Sequence, residues 1–274
     1  MSEENLIALC RPETLSINKD QHKRLPGELK FWADPAHQLW VKDNSEAYSL
    51  VRSFSGGEPT PLNIASVVNS LLMGIEMPSI LDARYDVDGV AKLMTIMSCA
   101  LAVSDFSVFG SEEVNRDSLD DLQRKFLPAE SRANASNELS EVIAYGHFLG
   151  FFEPAENGGH VVDPTEAVAT ALKEVLEPGV DVGIQDLLAG VAEKLPVLDN
   201  GRFRREVEEK MEERGFRRPP KDRLSRTMSH ALYRLRIAGV IKLEELSDDP
   251  YQVSFDLPLG EKRFSRIRLM RAEG

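Results

Sequence analysis

The sequence predicts a mainly α-helical protein with short β-hairpins. Three observations carry that expectation. Residues 221–240, KDRLSRTMSHALYRLRIAGV, place apolar side chains at helical spacing and then run into a β-prone segment. The same order of apolar helix, glycine and strand occurs upstream, around Gly150. Residues 89–109 are apolar nearly all round, as expected of a helix central to a core.

Taken in order, residues 1–60 are the least regular, because Pro12, Pro26 and Pro35 interrupt any long helix. Both tryptophans, Trp32 and Trp40, lie in LKFWADPAHQLWVKD, which reads as a small β-containing cap or a partner-binding arm. The turn-rich residues 55–61 mark a boundary. Pro61 suits a first helical position, and Ile64, Val67, Val68, Leu71, Leu72 and Ile75 follow at helical spacing up to Pro78. After the 89–109 helix, Leu119, Leu122 and Phe126 define a third. Residues 134–149 are a fourth, with Leu139, Val142, Ile143, Gly146 and Leu149 inward. Asn157-Gly158 signals a tight turn between two short strands, and Asp163 caps a helix beginning at Pro164. Pro178-Gly179 separates a second series: helices over 183–195, 203–214 and 222–238, then a hairpin around the turn at 247–250. An alternating last strand follows over 263–271. The expected domains are 1–60, 61–178 and 179–274.

Laying Gly150 on Gly239 puts Leu139, Val142, Ile143, Leu149, Phe151 and Phe152 on Met228, Ala231, Leu232, Ala238, Val240 and Ile241. The match supports two copies of one unit. A helix followed directly by a hairpin resembles the recognition helix and wing of a winged helix-turn-helix, and residues 90–271 together resemble tandem winged-helix proteins. That resemblance implies tandem winged helix domains, in which the recognition helix offers its outer face to a nucleic-acid groove. Residues 1–60 carry no part of it.

Charge distinguishes the two copies. The 274 residues have a net charge of −12, which argues against a general polyanion binder. The distribution is uneven, however. Residues 202–271 hold 18 Lys/Arg against 12 Asp/Glu, while residues 1–201 hold 15 against 32. Such asymmetry is a hint of a polyanion partner at one end of the chain. On a helical wheel Arg223, Arg226, Thr227, His230 and Arg234 share the face opposite Leu224, Met228 and Leu235. Arg217, Arg218 and Lys221 precede that helix, where phosphate contacts commonly arise, and Arg266 and Arg268 share a face of the last strand. These ten residues are the candidate double-stranded DNA contacts. The first copy instead presents Glu138, Glu141 and Tyr145, which suit a protein partner or a second copy of the chain, with Trp32 and Trp40 as further candidates.

Catalytic chemistry has little support. Glu138 and Glu141 read as a solvated face rather than an acid–base pair. His22, His37, His147, His160 and His230, with Cys10 and Cys99, match no metal spacing. Gly56-Gly57 and Gly158-Gly159 lack the Lys-Ser or Lys-Thr of a phosphate loop, and Asp82, Asp86 and Asp88 lack the rest of a calcium loop. The apolar run 93–104 is too short to span a membrane, and the N-terminus has no signal-peptide core. The expectation is a cytoplasmic, bacterial, non-enzymatic protein without cofactor or metal. It recognises duplex DNA through its C-terminal unit and docks a partner or dimerises through its acidic two-thirds. The alternative is an interaction subunit of a larger ATPase, DNA-modification or phage-defence complex with no direct DNA role.

Overall fold

The computed structural model describes residues 32–33, 40–42, 48–50, 61–82, 84, 89–156, 159–246, 249–257 and 260–271. The chain divides into two compact units, Met1–Glu76 and Met77–Gly274. About half of the described residues are helical, with small antiparallel sheets. In the first unit β1 (Trp40–Lys42) pairs with β2 (Tyr48–Leu50), and α1 spans Pro61–Gly74, opening on the proline as the sequence predicts. Among the sequence expectations, Cys10, His22, His37, Asp86, Asp88, the 55–60 boundary, Asn157-Gly158 and Ser247-Asp248 lie outside the described residues.

The second unit is built on α2 (Val90–Ala102), which buries nearly every side chain. Helices α3 (Arg116–Phe126), α4 (Glu138–Phe148) and α7 (Arg202–Glu212) pack on it. Cys99 is enclosed there, and burial pushes its thiol up to about 12, which leaves it neutral. Helix α5 (Thr165–Val175) packs on α6 (Ile184–Lys194) and on α8 (Arg226–Ile237), so helices before and after residue 178 share one core.

The two helix–strand junctions end alike. Gly150 and Gly239 both have left-handed φ, at 79° and 73°. Each donates to the carbonyl three residues back, His147 or Arg236. The next residue donates five back, Phe151 to Gly146 and Val240 to Leu235, which completes a Schellman closure at both sites.

After the closures the copies diverge. β3 (Phe152–Pro154) pairs with β4 (His160–Val162), as expected. β6 (Ile241–Glu244) does not form the expected hairpin with β7 (Val253–Phe255). It pairs with β9 (Arg266–Leu269) in a three-stranded sheet whose other edge is β5 (Asp181–Gly183), order β5-β9-β6, and β7 pairs with β8 (Lys262–Phe264). A turn signal between short strands cannot choose their partners. Apolar matching does: Ile241 and Leu243 stand opposite Leu269 and Ile267, and the rings of Phe255 and Phe264 meet edge to face at 4.8 Å. β5 (Asp181–Gly183) is a strand where the sequence pattern shows only the start of a helix. The expected last strand is two strands, broken at Ser265.

Candidate nucleic-acid interface

Helix α8 begins later than its pattern predicts. Ser225 is its N-cap, with Oγ accepting from Met228 N at 3.2 Å. The Ser225 N–H and hydroxyl both donate to Asp199, each at 2.7 Å. Upstream, Leu224 N donates to Ser254 O and Ser254 N to Asp222 O, so residues 222–224 lie along β7. Arg223 is therefore a loop residue, and its guanidinium pairs with Glu261.

The face expected to meet DNA is largely covered. Thr227 is buried and donates its hydroxyl to Leu101 O at 3.1 Å. His230 is buried edge-on against Phe109, ring centroids 4.5 Å apart, with Nδ1 3.7 Å from Asp163. Burial holds the His230 pKa below its usual value. Asp163 opposes that shift and Arg234 adds to it. Neither Thr227 nor His230 can reach a groove, which corrects their assignment as contacts. A wheel shows which face is polar, and here residues 101–109 pack over that face. Arg234 is turned inward as well, to Glu153 at 2.9 Å and to the fully buried Asp163, which also accepts from Thr165 N. The exposed part of α8 is its end, where Ile237 is 72% accessible and Arg236 sits over Tyr233 and Phe264.

The remaining cations gather in front of α8. A cleft of about 400 Å³ is bounded by Lys125 and Phe126 from the end of α3, Phe216, Arg217 and Arg218 from the loop, and Arg226. Arg223 also lines it, as do Asp105 and Asp256. Arg218 is tied to Glu212 at 3.0 Å and to Glu208 at 3.6 Å; Arg226 is 3.8 Å from Asp256. Arg214, Arg217 and Lys221 are exposed, and no ion pair joins them to another described residue. Of the last-strand pair, Arg266 is exposed while Arg268 is paired with Asp181 across the sheet. Lys125, Phe126 and Phe216 were not legible as site residues. Their helix and loop meet only in the fold, and nothing in the spacing of 125–126 and 216 announces it.

The candidate protein-binding residues also divide. Glu138 accepts from Asn134 N at 2.6 Å, in the turn before its helix, and pairs with Lys92 at 3.3 Å, so it is not a spare carboxylate. Glu141 is exposed and Tyr145 half-buried on the same helix. Trp32 is half-buried, and Trp40 opens β1 with its side chain outside the described residues. The His147 and His160 rings lie 5.6 Å apart. No group of three or more His, Cys, Asp or Glu among the described residues is arranged to hold a metal ion. No helix among them is long and apolar enough to cross a membrane.

Fold and site thus define a class: a mainly helical protein with small hairpins and a cationic cleft, whose second copy of the helix–strand unit is locked internally to its first. The chain belongs to the DpdG-like family, whose model matches residues 1–249. That family is associated with DNA modification and defence, so membership points to a role in such a system. The match covers α8 and the loop before it, and stops before β7. No curated protein and no solved structure matches the chain.

Proposed function

We propose that this protein is a non-enzymatic, DNA-contacting component of a DNA-modification or defence system. It meets the phosphate backbone of duplex DNA through residues 214–226 rather than by laying α8 in a groove. In this reading α6, α7 and α8 with the sheet β5-β9-β6 form a winged helix, and α4 with β3-β4 is its acidic counterpart. The observation that carries the proposal is the set Arg214, Arg217 and Lys221, exposed beside the cleft and without ion pairs among the described residues. Unpaired guanidinium and ammonium groups on a loop suit phosphate oxygens and carry no sequence code.

The test is a salt series on labelled duplex with the parent and with Arg214→Ala, Arg217→Ala and Lys221→Ala combined. Each lost phosphate contact lowers the slope of log affinity against log salt by about 0.9. The second reading, an interaction subunit without a DNA role, is favoured by the inward Arg234 and the buried His230. It takes over if the parent binds no duplex at low salt, or if parent and variant share one slope.

A further inference from the structure

We infer that the cleft in front of α8 receives a single unpaired nucleotide of a DNA strand. This deepens the DNA-contact reading and rests on it. Four features of the cleft agree. Its volume, about 400 Å³, lies in the range of small-ligand sites, roughly 300–1,000 Å³. It has aromatic walls: the rings of Phe126 and Phe216 meet edge to face at 6.0 Å. Phe126 is buried and has Lys125 Nζ 4.8 Å from its ring centroid, whereas Phe216 is only half-buried, so Phe216 is the ring left for a base to stack on. Five cations line the cleft: Arg218, Arg223 and Arg226 are held in ion pairs, while Lys125 and Arg217 have none among the described residues and are left for a nucleotide's phosphate.

The fourth feature is the pair of carboxylates, Asp105 and Asp256. A site for a bare anion would be weakened by them. A base changes the balance, because a carboxylate accepts from the exocyclic amino group of cytosine. The stacking ring is also held in place. Phe216 N donates to Met211 O at 3.0 Å, Gly215 before it turns at φ 93°, and Pro219-Pro220 follow. A base inside a duplex is stacked on both faces and cannot enter such a cleft. The nucleotide must come from a single-stranded end or be turned out of the helix.

The experiment has two arms on the full chain. Calorimetric titrations with deoxycytidine monophosphate and with inorganic phosphate compare nucleotide with anion. Anisotropy titrations compare a blunt duplex with the same duplex carrying a short single-stranded end. The nucleotide is expected to bind at least about tenfold tighter than phosphate, and the tailed duplex tighter than the blunt one. Phe216→Leu should bring both ratios towards one, a loss of roughly tenfold for one base–aromatic stack. Arg217→Glu, at an exposed position that folding does not need, should weaken nucleotide binding whether or not Phe216→Leu folds. Nucleotide binding no tighter than phosphate, or a tail preference that survives Phe216→Leu, overturns the inference. Blunt duplex bound without any tail preference overturns it alone and leaves the backbone reading standing. Nucleotide and tail bound without blunt duplex does the reverse. No binding by any probe sinks both.

Discussion

Helices α4 and α8 end in the same way and lead into strands at matching positions, yet they are used differently. α4 presents Glu141 to solvent, and its first carboxylate, Glu138, folds back on Asn134 N. α8 carries the arginines, and Arg234 crosses to Glu153 on β3 and to Asp163 at the end of β4. The hairpin of the acidic unit thus pairs with one arginine of the basic helix. The two units are tied together there, and residues of α2 and the turn after it cover Thr227 and His230 on the same helix. The exposed cations without ion pairs among the described residues, Arg214, Arg217 and Lys221, lie on the loop before it.

The largest effect should come from breaking that cross-copy tie. Asp163 has a fully buried carboxylate bonded to Arg234 and Thr165. Asp163→Ala should destabilise by about 2–4 kcal/mol, somewhat less than the roughly 3–5 kcal/mol of a fully buried pair, because Arg234 is 41% exposed and keeps Glu153. Urea unfolding measures it. A loss under about 1 kcal/mol would mean that the copies are held by apolar packing alone.

The next test sets the two closing glycines against each other. At Gly239 a Cβ meets nothing within 4 Å, so Gly239→Ala should cost only the left-handed backbone, about 1–2 kcal/mol. At Gly150 the Cβ would come within 2.9 Å of Ala167 N and Glu166 Cβ, so crowding should add about 1–3 kcal/mol. Equal costs in denaturant melts would contradict the closer approach of α5 to the first closure.

A smaller, pH-dependent effect concerns His230. Its pKa is depressed by burial, so as pH falls the unfolded chain takes up this proton before the folded one. The contribution is fully present above the ordinary value, 6.5, and is lost as pH falls below it. His160, lowered by burial and by His147 beside it, acts in the same sense. Stability should therefore decline from about pH 7 to 5, and His230→Gln should flatten the decline. An unchanged slope would show that His230 is solvated. Smallest of all, Glu141→Lys on the exposed face of α4 should change stability by about 0.5 kcal/mol or less. If it nonetheless weakens assembly with a partner or a second copy in gel filtration, the acidic copy is the docking surface.

Much of the architecture is present in short-range pattern. Pro61 opens α1, the all-apolar run of α2 marks the core helix, and Gly150 and Gly239 close α4 and α8 where their spacing says they must. These features depend on neighbours within a turn or two, so a single segment contains all the information they need. The same is true of Ser225, whose cap shortens α8, although the apolar period runs on through Leu224 and hides it.

What the tertiary structure alone decided is which polar face stays wet and which strand finds which. Thr227 and His230 look outward on a wheel and are buried because residues from α2 and the turn after it lie over them. β6 passes over its sequence neighbour β7 for β9, because Ile241 and Leu243 match the apolar side chains there. Phe126 and Phe216 come together across a cleft that no spacing announces. The sequence determined the helices, their closures and the sign of their charges. The choice between a solvated arginine and a paired one rests on what packs against it, and that is set by contacts between segments far apart in the chain.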